Sequence, residues 1–296
     1  MLLTASTEKS AQFYAELNQM ISNTTHQQRV ITTRCTGGIG NRLFQIAAAI
    51  KYAEEFNRNP ILLLPCLARS EHGNFTLLFE LFPEIPLVES APSWKPIKDS
   101  PKHTHDPILV LNGFFQDLKF FPPLTSPLLP RLPSLAPLIK NNNVAIHFRF
   151  GDYTILPHHQ VNLSSYYMEA IRRFPPLTTF FLFSDSPEKL KAISSELWAK
   201  DIPNTIKSTD SVLETFQEIA NCSLGFIGSN STFAWWAAFL AWNSSGRQES
   251  YKAYFPDTWM PEGQPNHKPN LFTLPYTVPL SIQGSADNSL KSFSYL

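Results

Sequence analysis

Residues 147–152 read His147-Phe148-Arg149-Phe150-Gly151-Asp152, an imidazole, a guanidinium and a carboxyl within six positions, with Tyr153 next. The planar fork of an arginine can grip phosphate oxygens through two parallel hydrogen bonds, which a lysine cannot copy. A histidine and an aspartate beside it could recognise a base or move a proton. The plainer alternative is that Arg149 and Asp152 pair only with each other at a solvated edge. What precedes them is Val144-Ala145-Ile146, a short apolar run of the kind a buried strand needs. The polar residues therefore stand at the strand's exit, where open α/β sheets bind their ligands.

Three other strand exits carry polar residues. Val30-Ile31-Thr32-Thr33 is a β-branched run that leads into Gly37-Gly38-Ile39-Gly40-Asn41 and an amphipathic helix to about Phe56. Leu43, Ile46, Ala47, Ile50 and Ala53 supply that helix's apolar face. Its glycines would let backbone N–H groups approach an anion, although the turn is not a full Gly-X-Gly-X-X-Gly. Further on, Thr178–Phe183 is a strand ending in Ser184-Asp185, and Leu224–Gly228 is a strand ending in Ser229-Asn230-Ser231-Thr232. Helices are expected at 164–174, 187–199 and 211–220, and a very apolar one after Thr232 that is too short to span a bilayer. Accident explains one such exit easily, and several on one sheet edge poorly.

The chain of 296 residues has room for two domains, and alternation of strands and helices makes it α/β. Formal net charge is zero, which removes the broad attraction nucleic-acid binding rests on. Cys35, Cys66 and Cys222 have no metal-ligand spacing and read as small buried hydrophobes. No long apolar run occurs, so neither a transmembrane segment nor a signal peptide is expected. On that ground the location is expected to be cytoplasmic, peripheral to a membrane or lumenal only if an anchor was trimmed away. The expected layout is a polar lead-in over 1–29, a first domain over 30–140, a second over 141–280 and a tail over 281–296. Pro-rich sequence at Ser90–Pro137 favours extended connections.

Taken together, five segments resemble glycosyltransferase family 11, the α-1,2-fucosyltransferases. They are Gly37–Gln45, Asn112-Gly113-Phe114-Phe115-Gln116 with Phe120-Phe121, His147–Tyr153, Phe181–Asp185 and Ser229–Trp236, in the family's order. The resemblance implies a GT-B-like architecture, two Rossmann-type domains facing a cleft, with the nucleotide sugar held mainly by the second. It implies inverting transfer of L-fucose from GDP-fucose to a sugar hydroxyl of a glycan, through an α-1,2 linkage and without a cofactor or metal. By position, Arg149 matches the arginine that neutralises the departing diphosphate. His147 and Asp185 match positions at the guanine end. Ser229, Asn230, Ser231 and Thr232 match residues along the phosphates and sugar, and Gly38, Gly40 and Asn41 would close on the donor from the first domain. Asp152 is the candidate general base, and Ser90–His105 a candidate acceptor loop.

The chemistry asks for such groups. Loss of GDP puts charge on the β-phosphate while the sugar becomes oxocarbenium-like, and preorganised donors aimed at that charge supply the largest catalytic term. Two departures from the family pattern stand out. Phe150 replaces a second arginine, and Arg42 replaces a glutamine. The first keeps two alternatives open, a transferase of the same fold with another nucleotide sugar and a non-catalytic nucleotide- or glycan-binding homologue.

Overall fold

The computed structural model describes residues 29–63, 76–88, 97–98, 108–133 and 141–282. The expected lead-in, most of the Ser90–His105 segment, Cys66 and the tail beyond 282 lie outside the described residues. The chain divides into two compact units, Met1–Pro130 and Arg131–Leu296. The boundary expected between 140 and 141 falls at the end of residues 134–140, which are not described.

In the first unit the strands are β1 (Val30–Thr33), β2 (Asn59–Pro60), β3 (Leu62–Leu63), β4 (Leu87–Val88), β5 (Ile97–Lys98) and β6 (Ile108–Asn112). The helices are α1 (Ile39–Phe56) and α2 (Thr76–Leu81). The main sheet runs β2-β1-β6-β5, with every pairing parallel, and β3 pairs with β4 apart from it. Helix α1 starts at Ile39, two residues before the expected Asn41, because Gly38 serves as its N-cap. It ends where Asn57 enters the left-handed region and returns its N–H to the Ala53 carbonyl. Ala48, Ala49, Tyr52 and Ala53 of α1 bury against Ile31, Leu109, Leu111 and Phe115.

The second unit holds β7 (Asn143–Phe148), β8 (Thr179–Ser184), β9 (Asn204–Ile206), β10 (Gly225–Ile227), β11 (Lys252–Pro256) and β12 (Thr277–Leu280). Its helices are α3 (Ser164–Arg172), α4 (Pro187–Trp198), α5 (Val212–Ala220) and α6 (Thr232–Ser244). All six strands are parallel in the order β12-β11-β10-β7-β8-β9. The chain runs β7, β8, β9 to one side, returns, and runs β10, β11, β12 to the other. That is the doubly wound order of dinucleotide-binding sheets, and the strand order reverses between β7 and β10. β9 and β12 were not read from the sequence. The two are edge strands, and such short stretches carry little apolar patterning.

Helix packing accounts for the rest. Val144, Ala145, Ile146 and Phe148 are fully buried, which explains an unbroken apolar run where a half-exposed strand would alternate. Helix α6 is apolar all round and buried from Ala234 to Trp242. Ser231 caps it by accepting the Phe233 N–H at 3.2 Å. On α3, Tyr167 donates its hydroxyl to the His147 carbonyl at 2.9 Å. The neighbouring Tyr166 hydroxyl lies 2.6 Å from the Gly228 carbonyl and 2.8 Å from that of Tyr254. Two buried phenols thus pin the ends of β7 and β10 and the middle of β11. Among the described residues no helix is long and apolar enough to cross a membrane.

Candidate active site

The crevice between β7 and β10 is where the doubly wound order places a ligand. His147 is the penultimate residue of β7 and Ser229 follows β10, and the two meet across the crevice with Nδ1 3.0 Å from Oγ. His147 is 5 % exposed. Burial pushes its imidazole down to about 4, the Asp185 carboxylate works against that, and Arg149 adds to it. The ring is therefore neutral at pH 7 and carries one donor and one acceptor nitrogen.

Arg149 and Asp185 form the charged core of this edge. One guanidinium nitrogen lies 2.6 Å from Asp185 Oδ2, with both side chains about a quarter exposed. The other carboxylate oxygen, Oδ1, accepts the Phe150 N–H at 2.9 Å. Asp185 comes from the exit of β8, which pairs with β7 through His147↔Phe183 and Phe148↔Ser184. Parallel register alone therefore delivers the carboxylate to the guanidinium. Gly151 makes the close approach possible, since a Cβ there would be driven into Asp185 Oδ2. The pair is Arg149 with Asp185; the Asp152 backbone sits in a short 3-10 turn at Gly151–Thr154, and its side chain lies outside what is described.

Two residues that sequence reasoning did not place complete this edge. The Arg149 guanidinium lies over the Tyr153 ring at 5.4 Å, and Tyr153 in turn stacks on His159 with centroids 4.2 Å apart. Nothing in the sequence pairs residue 153 with 159. Two successive 3-10 turns, Gly151–Thr154 and Pro157–His159, fold the segment back on itself. Asn230 braces the same region by donating Nδ2 to the Trp259 carbonyl at 2.8 Å.

The serine-rich exit thus reads differently in three dimensions. Ser229, Asn230 and Ser231 are buried, and their side chains bond His147, Trp259 and the first turn of α6. They build the wall of the crevice. Thr232, at the start of α6, is partly exposed.

In the first unit the glycine turn lies between β1 and α1. Gly37 adopts φ +79°, a region that favours glycine. Arg42 is buried and donates Nε to the Gly37 carbonyl at 2.8 Å, while Gln45 bonds both the N–H and the carbonyl of Thr36 at 2.9 Å. The arginine that departs from the family pattern is thus spent on holding the turn. Gly38, as N-cap, adds no side chain over the first turn of α1, and Gly40 is buried within it. Asn41 accepts from Gln116 Nε2 at 2.8 Å, which ties the α1 start to the β6 exit. Cys35 and Cys222 are buried thiols that form no disulfide, as read from the sequence. Among the described residues no three His, Cys, Asp or Glu side chains converge as metal ligands.

Each unit is built on a parallel sheet of Rossmann type, and the second carries a polar edge at its strand reversal, where such sheets bind ligands. Residues 138–262 match the family model described as Glycosyl transferase family 11. Over 262 aligned residues the chain is 28% identical to the alpha-1,2-colitosyltransferase of Escherichia coli, covering 71% of this chain and 87% of that protein. Among solved structures it is similar to POFUT1 in complex with GDP, at TM-score 0.45 and 12% identity, covering 77% of this chain and 98% of that one. It is also similar to the NodZ alpha-1,6-fucosyltransferase co-crystallized with GDP, at TM-score 0.46 and 12% identity, covering 73% and 93%. The segment that matches the family model spans the Arg149 edge.

Proposed function

We propose that this protein transfers L-fucose from GDP-fucose to a hydroxyl of a glycan acceptor, with inversion, through an α-1,2 linkage and without a metal. The observation that carries the reading is the half-buried Arg149 fork at the β7–β10 reversal, fixed from one side by Asp185 and lying over the ring of Tyr153. Once it meets the donor, the same planar fork can face the charge that the departing diphosphate gains. Neutral His147 and the carboxylate of Asp185 are suited to the guanine edge, whose N1 and N2 groups are donors.

These two roles make a demand on the structure. Arg149 and Asp185 are in direct contact, whereas the guanine and the β-phosphate of one nucleotide are separated by the ribose. The donor therefore opens the Arg149–Asp185 pair as it binds, and each partner exchanges one charged contact for another. Exchange of this kind lets a charged edge stay satisfied when empty. Asp152, at the same exit, is the proposed general base, and Thr232 a contact to the phosphates or the sugar. Gly38, Gly40 and Asn41 are proposed to meet the donor from the first unit.

One specific observation favours a second reading. The E. coli relative is, by its name, a colitosyltransferase that forms the same type of linkage, so the donor sugar here could be colitose in place of fucose. A panel of GDP- and UDP-linked sugars, offered with a set of galactoside acceptors in the presence of a chelator, separates the readings. Fucose transfer from GDP-fucose alone supports the first. Preference for another GDP sugar supports the second, and GDP binding without transfer of any sugar would replace both with a binding protein.

A further inference from the structure

The β6 exit of the first unit carries a feature that the donor site does not use. Four large apolar side chains are exposed among the described residues, namely Phe114, Ile155, Leu177 and Trp198. Of these, Leu177 lies in the turn before β8 and Trp198 ends α4, while Phe114 is the aromatic one at the carboxyl end of a strand. Phe114 is 52 % exposed, yet its neighbour Phe115 is buried and packs edge-on against Phe120 with centroids 5.2 Å apart. Phe115 adopts φ +53°, which bulky L residues rarely occupy. The backbone is thus held in a disfavoured conformation that sends consecutive rings in opposite directions, one into the core and one out to solvent.

The surroundings of Phe114 narrow its use. In the sheet order β2-β1-β6-β5, the strand order reverses between β1 and β6, so this exit flanks the ligand crevice of the first unit. Two residues on from Phe114 stands the amide of Gln116, held in place by donating Nε2 to Asn41 Oδ1 at 2.8 Å. An exposed aromatic face next to an amide group fits a pyranose, which has an apolar C–H face for the ring and a rim of hydroxyls for the amide. The slightly positive C–H groups pack well on the negative face of an aromatic ring. A few polar groups then fix the orientation.

We propose that Phe114 is the stacking platform for a neutral hexopyranose ring of the acceptor glycan, on the first unit. This identifies where the acceptor sugar rests and builds on the transferase reading above. The side chain is exposed, so Phe114→Ala should leave the thermal unfolding midpoint unchanged. The acceptor KM should rise about tenfold, with the GDP-sugar KM unchanged, and Phe114→Trp should restore most of the loss.

A second measurement does not depend on turnover. Saturation-transfer NMR with methyl β-D-galactopyranoside should show contact through the C–H face in the wild type and lose it in Phe114→Ala. Sugar binding that depends on Phe114 in a protein that transfers nothing would uphold this site and sink the transferase reading. Equal sugar contact in both forms, no contact in either, or an unchanged acceptor KM would overturn the platform.

Discussion

The two units use the same plan to different ends. Each is a parallel sheet whose strand order reverses beside the first strand, and each sends a polar loop out of that reversal. At the β7 exit the arginine is half-buried, paired with Asp185 and aimed along the edge. At the β1 exit the corresponding turn also has an arginine, but Arg42 is buried and bonds the backbone of the turn itself. Arg149 is the guanidinium proposed here to meet a ligand, whereas Arg42 is built into the scaffold. The lesson is that an arginine near a glycine turn or a strand exit says little until its hydrogen-bond partner is known.

The sharpest way to break this contrast is substitution of the two arginines. Arg149→Lys keeps the charge and loses the fork, so transfer should fall about a hundredfold or more, on the order of 3 kcal/mol in the transition state. Initial rates at saturating acceptor measure this, with the unfolding midpoint as the control.

An effect of comparable size should appear in stability, as a pH dependence that originates in the second unit. The His147 imidazole takes up a proton near 6.5 when unfolded and only near 4 when folded. Between these values the unfolded chain binds more protons, so stability falls as the pH drops through that window and is fully present above it. The whole contribution is on the order of 3 kcal/mol. Denaturant titrations from pH 7 to 4 should show this slope in the wild type and a flatter one in His147→Gln. Equal slopes would mean that the ring is hydrated in solution.

Arg42→Ala is the smallest perturbation of the set. It leaves the Gly37 carbonyl without its side-chain donor and should cost about 1–3 kcal/mol of stability. Affinity for GDP should change less than it does in the Arg149 variant. A variant that folds as well as the wild type but loses GDP binding would make Arg42 a ligand group and remove the distinction between the units.

Much of the second unit was legible in the sequence because central parallel strands must be apolar along their whole length. Val144–Ile146 and Leu224–Gly228 announce themselves that way, and the polar residues that follow are then at an exit by construction. The pairing of Arg149 with Asp185 was not legible, since it depends on β8 lying beside β7 in the register that sets Phe148 opposite Ser184. The Tyr153–His159 stack depends on two short turns without periodicity, so no pattern marks it. The serines after β10 were read as ligand groups by type, but burial decides their use, and burial follows from the packing of α6. In the first unit the glycine turn was visible, whereas the inward direction of Arg42 and the outward direction of Phe114 are set by backbone geometry that composition does not encode.

Arg149 is the group proposed to receive a nucleotide diphosphate. Calorimetric titration of GDP and of guanosine into the wild type and Arg149→Lys tests it most directly. The expected result is that the wild type prefers GDP strongly over guanosine and that the lysine variant loses most of that preference while still binding guanosine. An unchanged preference for GDP in the variant would contradict the assignment of the β7 exit as the diphosphate site.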